Sequence, residues 1–125
     1  MSALAGLLSP AAREVVRESV QALGAWLLAF AFTQAVEIPI YRRAGAPLWV
    51  AFGASALTHP VVWFVFPRAG LEWIWMVVWA ETFAWLLEAL WLRWHGVRRP
   101  LLWSLAANGA SLSLGLITRG LFGVP

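Results

Sequence analysis

Glu37, His59, Glu81 and Glu88 are ionisable side chains set inside runs that are otherwise almost entirely apolar. Carboxylates and imidazoles relay protons and ligate cations. Inside a bilayer each costs roughly 2.5–3.5 kcal/mol, so each is expected to have a partner or a role. Helical spacing arranges them. Glu81 and Glu88 are seven apart and share a face, with Trp85 between them. Ser104, Asn108, Ser111 and Gly115 recur at helical intervals and share another, while Thr33 and Glu37 are four apart. These narrow polar stripes are expected to turn inward. Successive spans reverse direction, so Glu37 and Glu88 should lie towards one end of a bundle, with His59, Glu81 and Asn108 nearer its middle.

The stretch Thr58-His59-Pro60 adds a backbone feature. Pro60 has no N–H for the Ala56 carbonyl, which predicts a bend that Ser55, Thr58 or water offsets. The expected partners of His59 are Glu81 and Asn108. Trp85 could donate its indole N–H to a carboxylate or face a cation, with packing as the plainer account of both Trp85 and Trp79. Gln21 and Gln34 carry no readable signal.

Three chemistries fit this set. Interhelical hydrogen bonding is the first, and the small residues Ala51, Ser55, Ala106, Gly109, Ala110 and Ser113 fit the close helix packing it needs. A proton or cation site built from Glu37, His59, Glu81, Glu88 and Asn108 is the second, supported by Thr58, Pro60, Trp85 and Ser111; a bound cation is the one cofactor this reading admits. The third is intramembrane hydrolysis, with Glu81 or Glu88 as general base and His59 in support. Neither His-Glu-x-x-His nor Gly-x-Ser-x-Gly occurs, and the balance leans away from an enzyme.

The elements that must position these groups follow from composition. Of 125 residues, 62% are hydrophobic and 12% charged, against about 25% charged in soluble domains. The apolar residues gather into four blocks, over about 10–41 with an amphipathic start, 47–66, 71–92 and 100–118. About 20 helical residues cross a ~30 Å hydrocarbon layer, and backbone groups in lipid must be satisfied within the segment. The predicted fold is all-α, a single four-helix transmembrane bundle with short loops. Ser9-Pro10 predicts the first helix start.

The net charge of +3 comes from arginine alone on the basic side, without lysine or aspartate. The arginines sit between apolar blocks, where they anchor interfaces and bias topology; no nucleic-acid motif accompanies them. Arg42, Arg43, Arg93, Arg98 and Arg99 outnumber Arg13, Arg17, Arg68 and Arg119, which favours cytoplasmic loops at 42–46 and 93–99, in a bacterial inner membrane. Tyr41, Trp49, Trp91, Trp94 and Trp103 are expected as one aromatic belt, and Trp63, Trp73 and Trp75 as the other. The chain has no cysteine, which excludes disulfides and thiolate metal sites. Its first residues lack the basic region of a signal peptide, and neither end carries a lipidation motif. Spans one and three both end in Glu, an aromatic and Arg, too short a match to infer an internal repeat.

Taken together, Glu37-Ile-Pro39-Ile-Tyr41, Thr58-His59-Pro60, Glu81 with Glu88, and Asn108-Gly-Ala-Ser111 resemble a pattern in uncharacterised small four-span bacterial membrane proteins. The resemblance covers about residues 30–117 and implies that these polar positions form one unit. It implies no activity. The resulting expectation is an integral membrane bundle, acting as a homo-oligomer or as an accessory subunit among other membrane subunits, with an inward Glu/His/Asn cluster. Proton or cation transport through that cluster is the alternative.

Overall fold

The computed structural model describes residue 3 and residues 6–123. Four helices dominate: α1 (Pro10–Arg43), α2 (Leu48–Phe64), α3 (Trp73–Trp94) and α4 (Pro100–Phe122), with a 3-10 turn at Phe66–Arg68 after α2. Among the described residues there is no strand. Each helix packs on two neighbours, so α1, α2, α3 and α4 close a ring. All four helical segments, α2 taken with its 3-10 turn, are long and apolar enough to cross a membrane.

The burial pattern is inverted relative to a water-soluble bundle. Leu27, Leu28, Leu90, Leu101, Leu102 and Leu105 face outward, whereas Glu37, Ser55, Thr58, Glu88, Ser104 and Asn108 are buried. Such an exterior suits lipid, and such an interior is stable only when its polar groups find one another.

Helix ends follow local chemistry. Ser9 caps α1 by accepting the Ala12 N–H, with Pro10 in the first turn where its missing donor costs nothing. Neither internal proline ends its helix: α1 continues through Pro39 to Arg43 and α2 through Pro60 to Phe64. The acid and proline at 37–39 therefore do not terminate span one. α4 likewise runs past residue 118 to Phe122. At about 1.5 Å per residue α1 is ~51 Å long, so its charged first turns extend well past a ~30 Å layer. Arg17 and Glu14 pair there, exposed.

The first and third helices end alike. In both, a residue five positions on closes the turn onto the helix: Ala46 N–H on the Tyr41 carbonyl at 3.0 Å, and Val97 N–H on the Leu92 carbonyl at 3.0 Å. Gly45 and Gly96 supply the left-handed residue, at φ 95° and 78°, as glycine-closed helix ends require. Tyr41, Ala46, Leu92 and Val97, with Val50, Ala51, Ala54 and Ala107, form the apolar core at this end. The correspondence continues. Glu37, Tyr41, Arg42, Gly45 and Ala46 match Glu88, Leu92, Arg93, Gly96 and Val97. After Pro47 and Pro100, Ala51, Ala54, Ser55 and Thr58 match Ser104, Ala107, Asn108 and Ser111. The two hairpins share this spacing of turn, polar and small positions, which makes the named residues matched pairs. Two extra residues, Arg98 and Arg99, stand before Pro100, and Arg99 is in a left-handed conformation (φ 53°).

Several expected positions differ. Tyr41 is fully buried, not part of a belt, whereas Trp49, Trp73, Trp75 and Trp94 are exposed. Trp79 points outward rather than packing inside. Ala51 and Ser55 are buried as the small-residue argument requires, but Ala106, Gly109 and Ser113 are on the outside and Ala107 takes the inner position. One residue's offset on a helix is about 100°, enough to exchange the two faces.

Candidate functional site

The two matched carboxylates occupy the middle of the ring, each within reach of hydroxyls from other helices. Glu37 accepts a 2.7 Å hydrogen bond from Ser111 Oγ on α4 and another, very short, from Ser55 Oγ on α2. Glu88 accepts from Tyr41 Oη on α1 and from Thr58 Oγ1 on α2, both at 2.8 Å. All four carboxylate oxygens are thereby satisfied, and both residues are 1% exposed. Ser111 and Thr58 are the matched positions of the two hairpins, so each hairpin gives its hydroxyl to the other's glutamate. α3 and α4 are joined further by Ser104 Oγ donating to the Trp85 carbonyl at 2.7 Å and Trp85 Nε1 donating to the Leu101 carbonyl at 2.9 Å.

Helical spacing named Glu37, Glu88 and Ser111, the Thr58-His59-Pro60 stretch added Thr58, and the structure brings all four together. It assigns other partners to the remaining candidates. Asn108 donates to the Ser104 carbonyl at 2.9 Å and lies 3.5 Å from Tyr41 Oη, so it joins the edge of the cluster. His59 does not meet Glu81 or Asn108 in a hydrogen bond; its Nδ1 accepts from Trp26 Nε1 at 3.0 Å, with Phe30 and Trp63 around the ring. Pro60 stays within α2, and Thr58 spends its hydroxyl on Glu88, not on the Ala56 carbonyl. Trp85 donates to a backbone carbonyl, not to a carboxylate.

Two central residues escaped the sequence argument. Tyr41 reads as an interfacial aromatic because Arg42 and Arg43 follow it. Ser55 reads as a small packing residue or as an offset for the Pro60 bend, not as a partner of Glu37. The signal that finds Tyr41 is its four-residue spacing from Glu37, which places both on one helix face.

A cavity of about 190 Å³ leads into this cluster, lined by Glu37, Glu81, Glu88, His59, Asn108 and Ser111 among others. Its wall continues along α4 through Gly115 and Leu116 to Arg119, and along α2 to Trp63. Those residues lie towards the α2–α3 turn. At the opposite end the core around Tyr41, Val50, Leu92 and Ala107 seals the bundle. The cavity has room for several waters, each of which needs about 10–15 Å³ of this kind of space. Glu81 lines it and, among the described residues, takes part in no side-chain hydrogen bond or ion pair. Its matched position in the first hairpin is Phe30, so this carboxylate breaks the two-fold pattern. Among the described residues no three His, Asp or Glu side chains are placed to hold a metal ion.

The chain matches no family model, no curated protein and no solved structure.

Proposed function

We propose that the protein is a small integral membrane subunit whose polar interior divides into a clamp and a vestibule. Glu37 and Glu88 form the clamp, tying the four helices through hydroxyl donors. Glu81 and His59 stand in the vestibule, which takes up a proton or a monovalent cation from one face. The observation that carries this reading is the contrast among three carboxylates on one cavity: two have every oxygen hydrogen-bonded and the third has none. A satisfied carboxylate holds structure together, whereas an unsatisfied one beside water-sized space is available to a mobile charge. With no three His, Asp or Glu side chains grouped among the described residues, the donor set favours a proton or a monovalent cation over a divalent or transition-metal ion. With the arginine-rich loops on the cytoplasmic side, the vestibule opens to the other side.

The test starts from reactivity. A water-soluble carbodiimide added to reconstituted vesicles is expected to modify Glu81 at least tenfold faster than Glu37 or Glu88, as read by peptide mass spectrometry. Glu81→Gln is expected to assemble normally and to lower proton or cation uptake at least tenfold relative to the parent. Equal labelling of the three glutamates, or uptake unchanged by Glu81→Gln, removes the vestibule from the proposal and leaves only the clamp.

A further inference from the structure

His59 stands against the cavity within a group of aromatic rings. Trp26 and Phe30 on α1 and Trp63 on α2 surround it, at 6.3, 5.5 and 6.1 Å between ring centroids. Trp26 Nε1 donates to its Nδ1 at 3.0 Å. An indole N–H only donates, so Nδ1 presents a lone pair, and the neutral imidazole carries its proton on Nε2. Nε2 makes no hydrogen bond within the chain, yet it is not sealed off. Among the described residues the one enclosed side-chain polar atom without a partner is Gln34 Oε1. The open space beside His59 is the cavity that it lines. His59 therefore offers the cavity a donor, and it can take a proton on Nδ1 only by giving up its bond to Trp26.

The rest of the wall has the same polarity. Arg119 brings a positive charge and, among the described residues, is in no ion pair. The carboxylate oxygens of Glu37 and Glu88 are all occupied by hydroxyl donors. The side-chain oxygens left without a hydrogen bond on this wall are those of Glu81, Asn108 and Thr33. An alkali cation needs a set of oxygen dipoles in place of its hydration shell. An imidazole N–H and a guanidinium on the same wall work against one. A proton needs a single lone pair, and either oxygen of Glu81 supplies it.

We infer that the mobile charge is a proton carried by Glu81 alone, with Trp26 holding His59 as a neutral donor that takes no proton itself. This rests on the vestibule proposed above and selects between the two charges it admits. On uptake, a protonated cavity water gives its proton to one Glu81 oxygen, leaving water and a neutral carboxylic acid; release returns the proton to water. The carbonyl of that acid is an acceptor, and the Nε2–H of His59 is a donor on the same cavity. The other charged or titratable groups on the wall are Glu37 on α1, Glu88 on α3 and Arg119 on α4. Among the described residues no carboxylate is within ion-pair distance of the imidazole. Trp26 is thus a positioning residue.

Ion identity is read in vesicles of the full chain, with an entrapped pH dye for protons and radioactive sodium and rubidium for alkali cations. Proton uptake is expected to change less than twofold when sodium or potassium at about 0.15 M replaces an impermeant cation. The radioactive ions are expected to enter no faster than into protein-free vesicles. Histidine labelled in its ring nitrogens reports its tautomer by NMR, with the His95 signal assigned by its loss in His95→Asn. His59 is expected to keep the neutral, Nε2-protonated signature from about pH 8 to about pH 5, a range across which a free imidazole titrates. In Trp26→Phe it should give the imidazolium signature within that range. Five results would each overturn the proton site while Glu81 remains the fastest-labelled glutamate: no proton uptake by the parent, alkali-ion entry that Glu81→Gln abolishes, sodium slowing proton uptake more than twofold, an imidazolium His59 in the parent, or a signature unmoved by Trp26→Phe. Equal labelling of the three glutamates removes the vestibule and the proton site together.

Discussion

Glu88→Ala is expected to destabilise the bundle by about 3 kcal/mol, the size of a large-to-small change that also leaves a buried hydroxyl without an acceptor. Glu88 alone accepts from both Tyr41 on α1 and Thr58 on α2. Thr58 has weak alternatives in the Ala54 and Ser55 carbonyls at 3.5 Å. Tyr41 Oη is left beside Asn108 Nδ2, a donor at 3.5 Å, with the rest of its ring in the apolar core. Glu88→Gln should cost under about 1 kcal/mol, because the carboxamide keeps the volume, accepts from one hydroxyl and donates to the other. The measurement is unfolding in a detergent–denaturant titration followed by tryptophan emission. Equal losses for the two variants would mean that the negative charge itself, rather than its hydrogen bonds, holds the helices.

Gly53→Leu is expected to be nearly as damaging, for a steric reason. A Cβ at Gly53 would sit 2.8 Å from Trp91 Cζ2 and 3.3 Å from Cε2. The indole has little freedom to withdraw: Nε1 donates to the Val50 carbonyl at 2.9 Å, and the ring packs on His95 at 4.1 Å between centroids. Overpacking of this kind costs about 1–3 kcal/mol, with Gly53→Ala at the low end and Gly53→Leu at the high end. Gly109→Ala is the control, since nothing lies within 4 Å of its added Cβ, and it should leave stability unchanged or slightly raised. The same titration ranks the three variants, and near-ultraviolet circular dichroism of the indoles reports whether Trp91 has moved. A Gly53→Leu protein as stable as the parent would show that Trp91 can leave its position at little cost.

Much of this architecture is legible in the sequence because lipid-length apolar runs leave few alternatives. The four helices, the Ser9 cap and the inward stripes through Glu37, Glu88 and Ser111 all follow from period and length. Partner choice is not encoded the same way. Thr58 and His59 are adjacent, yet about 100° of helix rotation sends one to Glu88 and the other to Trp26. Only the neighbouring helices decide which is central. Tyr41 and Gln34 were hidden for a related reason: a tyrosine before two arginines looks interfacial, and a lone glutamine has no pattern. The shared spacing of the hairpins is interrupted by two extra residues before Pro100, which shift the register between their first and second helices.

Those matched hairpins give the chain a seam. Glu88 draws both of its hydrogen bonds from the first hairpin, and Glu37 draws one of its two from the second. The segment from Ala69 to Glu72, by contrast, lies outside the helices and joins the hairpins beyond the polar cluster. What joins the halves is the exchange of hydroxyls across the middle together with the shared apolar core around Tyr41, Val50, Leu92 and Ala107, with the peptide link keeping the two halves at high local concentration. The two halves agree in residue type where they hold each other, and differ at Glu81 and His59, which face the cavity instead.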